Sequence, residues 1–117
     1  MQEMSVWKTM KLTDSEKELW YKFKTPSCSN LHRRKVNALH ISAANSKGHE
    51  MAKCEKAYDL IKEGHKILTE AQECSKRGLR HDLIDLTTGD IYEFETDSKR
   101  AIRFKDMKNI TVIMVDK

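Results

Sequence analysis

Apolar positions recur along this chain at two periods, and the change from one to the other falls near Arg80. The first patterned segment opens with Thr13-Asp14-Ser15-Glu16, a capping box in which Thr13 caps the helix and Glu16 reaches back. The helix from about Asp14 carries Leu19, Trp20 and Phe23. It must stop near Thr25, because Pro26 restricts the residue before it and has no N–H to donate. Ser29 or Asn30 is the next N-cap, after which Leu31, Val36, Leu39, His40, Ala43 and Ala44 recur mostly at helical spacing until the turn chemistry of residues 45–48. A third helix is expected over about 50–77. One stripe holds Met51, Cys54, Tyr58, Ile61, His65 and Leu68, and a second holds Ala57, Leu60, Ile67, Ala71 and Cys74. Lys76, Arg77 and Gly78 give it the basic last turn and glycine stop of a helix C-terminus. Gly64 inside it costs about 1 kcal/mol relative to Ala.

Beyond Arg80 the period becomes two. "DLIDLTTGDIYEFE" reads as two strands about a Thr-Gly turn, with Ile84 and Leu86 on one face and Tyr92 and Phe94 sharing another. "AIRFKDM" continues as a third strand, and "ITVIMVD", apolar on both faces, reads as the most buried strand of an antiparallel sheet. The alternative for residues 97–115 is a pair of short helices. In that form the hairpin with Ser98, Ala101 and Phe104 resembles the small modular DNA-binding repeats attached to homing endonucleases, in which a β-hairpin precedes a helix-turn-helix. The β-branched run Ile110-Thr111-Val112-Ile113 favours the strand. The predicted fold is therefore α+β in a single domain. A mainly helical part (12–78), with a long antiparallel helical hairpin, precedes a β-rich part (80–117) forming a small antiparallel meander.

At 117 residues one modest core is expected. The chain is 34% charged and 38% hydrophobic, polar but patterned, which argues against wholesale disorder. No apolar run has the length of a bilayer span, and the first residues lack the apolar core of a secretory signal. Three cysteines, Cys28, Cys54 and Cys74, are odd in number and widely spaced, so reduced thiols and a cytoplasmic location are expected.

Net charge is +4, and its distribution matters more than its size. No Asp or Glu occurs between Leu19 and His49, a stretch with six Lys and Arg. Arg33, Arg34 and Lys35 fall near the start of the expected second helix, where the helix dipole disfavours cations and a bound anion would relieve the conflict. Tyr21, between Trp20 and Lys22, and His32, beside Arg33, are aromatics interleaved with cations, which suits phosphate contacts with base stacking. The candidate nucleic-acid contacts are thus Tyr21, Lys22, Lys24, His32, Arg33, Arg34, Lys35, Lys47, Arg77 and Arg80. Trp20 and Phe23 are read as core.

No other constellation rises as far. Cys28 and His32 are four apart, and Cys54, Cys74, His49 and His65 could join them, but no close Cys pair supports zinc and no sequence-local signature supports a Cys–His nucleophile. His40 and His65 read as packed, hydrogen-bonded histidines. The hairpin carboxylates Asp82, Asp85, Asp90, Glu93 and Glu95 could serve acid–base or metal chemistry, but their alternation with apolar residues reads as a solvated sheet face. The four glycines are too dispersed for a phosphate loop. No catalytic residue, metal or cofactor is expected.

Two functions follow. The first is a small basic, non-enzymatic regulator that associates with the phosphate backbone of RNA or single-stranded DNA. The second is a protein-interaction module or inhibitor using the apolar face of helix 50–77, through Met51, Tyr58, Ile61 and Leu68. A homodimer through the helices is compatible with both.

Overall fold

The structure, a computed structural model, describes residues 12–25, 36–75, 78–104 and 107–115. Helix α1 (Asp14–Trp20) leads into a two-residue strand β1 (Phe23–Lys24). Helix α2 (Lys47–Lys62) is followed by strands β2 (Ile67–Glu73), β3 (Arg80–Asp85) and β4 (Ile91–Glu95). A short helix α3 (Ser98–Ala101) tightens into a 3-10 turn (Ile102–Phe104) before strand β5 (Ile110–Met114). The strands form one sheet in the order β1-β2-β3-β4-β5, antiparallel except for the parallel β4–β5 pair.

The expected helical hairpin is not what the chain forms. Residues 36–46 contain no helix, and the long helix expected over 50–77 stops at Lys62. Gly64 stops it. At φ +90° it adopts a backbone conformation that L side chains rarely reach, its N–H bonds the Ile61 carbonyl (2.9 Å), and the His65 N–H bonds the Leu60 carbonyl (3.0 Å). These two bonds make a Schellman motif that closes the helix and releases the chain into β2. A Cβ at Gly64 would meet nothing within 4 Å, so the penalty for a side chain there is backbone strain alone. Gly64→Ala is expected to destabilise the protein by about 1 kcal/mol, read as a lower urea midpoint at unchanged m-value.

Three expectations at the start and middle of the chain are met. Thr13 and Glu16 form both halves of the capping box. His40 and His65 are hydrogen-bonded, to Thr69 and Asp85, although His65 lies beyond the helix. The Thr-Gly hairpin pairs Leu83 with Tyr92 and Ile84 with Ile91, its turn passing through Gly89 at φ +86°. The last quarter departs from the meander. "AIRFKDM" supplies α3 and the 3-10 turn rather than a strand, with Asp97 capping the helix at the Lys99 N–H (2.8 Å). This crossover returns β5 parallel to β4 on the edge of the sheet, so Thr111 and Met114 are exposed instead of central.

Two apolar layers cover the sheet. Leu68, Ala71, Ile84, Leu86 and Phe23 pack with Leu19 and Trp20 of the α1 side. Ile67, Leu83 and Phe94 pack with Ala57 and Leu60 of α2. Leu68 and Ala71 share a cluster although three residues apart, which a regular strand forbids. The cause is Glu70, held at φ +50° in the middle of β2. Its left-handed turn resets the alternation, and the ladder partner it would have, Asp82, is skipped between Thr69↔Leu83 and Ala71↔His81.

Candidate functional site

The disturbance at Glu70 continues across the sheet. Past Leu83, β3 and β4 no longer pair backbone to backbone. Side chains take over: the Phe94 N–H donates to Asp82 Oδ2 (2.8 Å), and the Asp82 N–H donates to Glu93 Oε1 (3.4 Å). This splayed end of the sheet is a cleft of ≈ 310 Å³ whose walls include His49 of α2, Glu70 of β2, Asp82 and Arg80 of β3, Glu93 and Glu95 of β4, and Arg100 and Arg103 after it.

The charges beneath the cleft are buried and bonded. Lys53, one helical turn after His49, has no exposed side-chain surface (0%). Its Nζ donates to Glu50 Oε1 (2.7 Å), Glu70 Oε2 (3.0 Å) and the His40 carbonyl (2.7 Å). Burial opposes charge on Lys53, yet the bonds and charges of Glu50 and Glu70 outweigh it and lift its pKa. Burial likewise opposes ionisation of Glu50, but Lys53, the Ser42 N–H, the Asn45 amide and His49 together bring its pKa down to about 2. His49 stands between two acids, with Nδ1 2.6 Å from Glu50 Oε2 and Nε2 3.2 Å from Asp82 Oδ2. His81 is fully buried between Glu93, at Nδ1, and Glu73, at Nε2 (2.7 Å). Burial works against its cation, but these two carboxylates raise its pKa above the ordinary imidazole value.

Asp82 is the exception. Its pKa rises to about 6, first through burial, then through the charges of Glu93 and Glu70, against the Phe94 N–H and His49. Both of its contacts fall on Oδ2, and Oδ1 has no partner among the described residues. Lys53, His49 and His81 thus stand among five carboxylates: Glu50, Glu70, Glu73, Asp82 and Glu93. An excess of negative charge in a cleft attracts a cation. At its mouth the sign reverses. Arg103 lies 3.7 Å from Glu95, and Arg80 and Arg100 have no ion pair among the described residues.

The solvated-face reading of the hairpin acids is therefore wrong for Asp85 and Glu93, which are buried, and for Asp82, which is mostly so. The sheet is covered on both faces, so alternation with apolar residues does not imply exposure. Asp85 serves the opposite end of β3, where it accepts from Thr87 N (2.9 Å) and Thr88 N (3.2 Å) and pairs with His65 (2.7 Å).

Of the predicted nucleic-acid contacts, Tyr21, Lys22, Lys24, Lys47 and Arg80 are exposed. Lys24 and Arg80 lie in one cross-strand row on either side of Gln72, about 10 Å apart by strand spacing. Phe23 is core and Trp20 packs against it. His32, Arg33, Arg34, Lys35 and Arg77 lie outside the described residues. Of the predicted interface, Met51 and Tyr58 are exposed on α2, and Ile61 packs on the core cluster of Ala57 and Leu60. Leu68 is buried in β2, so the continuous apolar face expected over 50–77 does not exist. Residue-type reading missed Glu50, Lys53 and Glu70 altogether; the signal was charge at positions facing the core on an otherwise apolar stripe.

No protein-family model, curated protein or solved structure matches the chain. Among the described residues no helix is long and apolar enough to cross a membrane.

Proposed function

We propose that the protein is a divalent-cation-dependent phosphodiesterase acting on nucleic acid at the splayed end of β3 and β4. The observation that carries this reading is the sign reversal within one cleft: surplus carboxylates on the floor, arginines at the mouth. A phosphate alone is repelled by the floor, and a cation alone gains nothing from the arginines. A cation–phosphate pair satisfies both.

No three His, Cys, Asp or Glu side chains form a ready-made metal centre among the described residues. A Mg²⁺-type ion does not require one. It takes one or two protein carboxylates and completes its shell with water and substrate phosphate. Asp82 Oδ1 and the second oxygens of Glu70 and Glu95 are the available donors. The cation would return the Asp82 carboxyl toward its ordinary range and activate a water. Hydrolysis would form one P–O bond to that water's oxygen and break one ester P–O bond, the water's proton passing through solvent to the leaving alcohol. Arg80 and Arg100 hold the flanking phosphates, and Lys53 positions Glu50 and Glu70 without reaching the substrate.

The test is cleavage of end-labelled oligonucleotides with Mn²⁺ or Mg²⁺. Cleavage should need the cation and should fall in Asp82→Asn by at least the roughly 10–100-fold that loss of a supporting group costs a metal site. A cation-independent product, or equal activity in Asp82→Asn, would overturn the reading.

A second reading keeps nucleic-acid association without turnover, as a non-enzymatic cytoplasmic regulator. The Lys24–Arg80 row and the net charge of +4 favour it. Salt-sensitive retention of oligonucleotide with no product in any cation would select it.

A further inference from the structure

Beside the cleft lies a second depression of ≈ 590 Å³, joined to it through Ser42, Glu70 and Arg80. Its outer wall is the segment from Asn37 to Ser42, which runs along the part of β2 that the two-residue β1 leaves unpaired and is tied down at Asn37, Ala38, His40 and Ser42. The Asn37 N–H donates to the Ile67 carbonyl (2.8 Å), and the Ile67 N–H returns a bond to Asn37 Oδ1 (2.8 Å). Thr69 Oγ1 donates to the Ala38 carbonyl (2.8 Å) and accepts the His40 N–H (2.9 Å). The Ser42 N–H ends on Glu50 (2.9 Å). The same ties fix the side chains between them. Leu39 is 47% exposed and Ile41 65%, so two large aliphatic groups are presented to water on a pinned backbone.

We infer that the Leu39–Ile41 shelf receives an unpaired base, and that the substrate of the neighbouring cleft is single-stranded nucleic acid. This rests on the phosphodiesterase reading for its cleft. Arg80 borders both depressions and can hold the phosphate that links a base on the shelf to the phosphate over Asp82. An aliphatic shelf beside a cation matches the alternation of base and phosphate along a strand. In a duplex the base faces are already stacked on one another, so only an unpaired base can lie flat on side chains. Among the described residues Glu70 is the only acid lining the shelf, and one of its carboxylate oxygens is held by Lys53, so the phosphate path stays open.

The experiment measures equilibrium binding of fluorescein-labelled 12-mers, single-stranded and duplex of the same sequence, at low salt with Ca²⁺ in place of Mg²⁺, the probes being verified intact after each titration. Wild type should bind the single strand roughly tenfold more tightly than the duplex. The double variant Leu39→Ser/Ile41→Ser should lose most of that preference while its duplex affinity is unchanged. Both positions are exposed, so folding is preserved, which a circular dichroism melt verifies. Equal or tighter duplex binding, or an unaltered preference in the double variant, overturns the inference. So does self-association of wild type that the double variant abolishes, which would assign the shelf to a second copy of the chain. Failure of Asp82-dependent cleavage strikes the catalytic reading and leaves this binding comparison intact. Asp82-dependent cleavage confined to duplex does the reverse.

Discussion

Asp82→Asn is expected to stabilise the protein at pH 8 while lowering the cleavage proposed for the cleft. The folded protein holds the Asp82 proton until about pH 6, whereas an unfolded aspartate releases it near 4. Between those values the folded state binds more protons, so stability falls as pH rises, and the full penalty applies above about pH 6. Two units correspond to about 3 kcal/mol at most. Asparagine keeps the acceptor for the Phe94 N–H but gives up the contact with His49, which reduces the gain. A net gain of about 1–2 kcal/mol remains, equal to a rise in Tm of roughly 5 °C or more for a domain of this size. At pH 4, where Asp82 is protonated in the folded protein, the two proteins should differ little. Thermal melts at the two pH values decide it: a variant less stable than wild type at pH 8 would mean that Asp82 is a structural anchor. A carboxylate retained at a cost in stability is the usual mark of a group kept for function.

Lys53→Met should produce the largest loss. It removes the buried cation that Glu50 and Glu70 share, leaving two carboxylates with one partner gone from each. Breaking a buried pair in this way typically costs about 3–5 kcal/mol, a large fraction of the stability of a small domain. The loss should shrink on acidification. In wild type the low pKa of Glu50 contributes stability that is complete above about pH 4.5 and disappears as pH falls toward 2. In the variant, Glu50 has lost the lysine that lowers its pKa, so it takes up a proton at a higher pH than in wild type and its unpaired charge vanishes. Urea titrations at pH 7 and pH 4 should therefore show a smaller difference between wild type and variant at pH 4. A difference of equal size at both values would mean that Lys53 acts through its aliphatic packing rather than its charge.

Much of the local structure was legible because it is set by local chemistry. The Thr13–Glu16 capping box and the Thr-Gly hairpin need only neighbours in sequence. The helix expected over 50–77 overran its true end at Lys62 for one reason. Glu70, in its left-handed conformation, shifts the phase of β2, so Leu68 and Ala71 fall on one face at a spacing of three. That spacing continues the stripe of α2 and conceals the stop at Gly64. The candidate site was illegible by the same mechanism. Asp82 and Glu93 alternate with apolar residues as solvated acids do, and only the layers on both faces of the sheet show that they are enclosed. Lys53 and Glu70 are 17 residues apart and meet only in the folded chain.

The parallel β4–β5 pair imposes an order in time. Antiparallel β3 and β4 can zip from their turn, but β5 must wait for the crossover through α3 and the 3-10 turn before it can dock. At ribosomal rates of about 5–20 residues per second, the roughly twenty residues from Glu95 to Met114 take one to a few seconds to appear. For that interval the outer edge of β4, the strand that carries Glu93 and Glu95, is an open template for another chain. The nascent protein is thus most exposed to mispairing along the strand that carries two of the cleft's carboxylates.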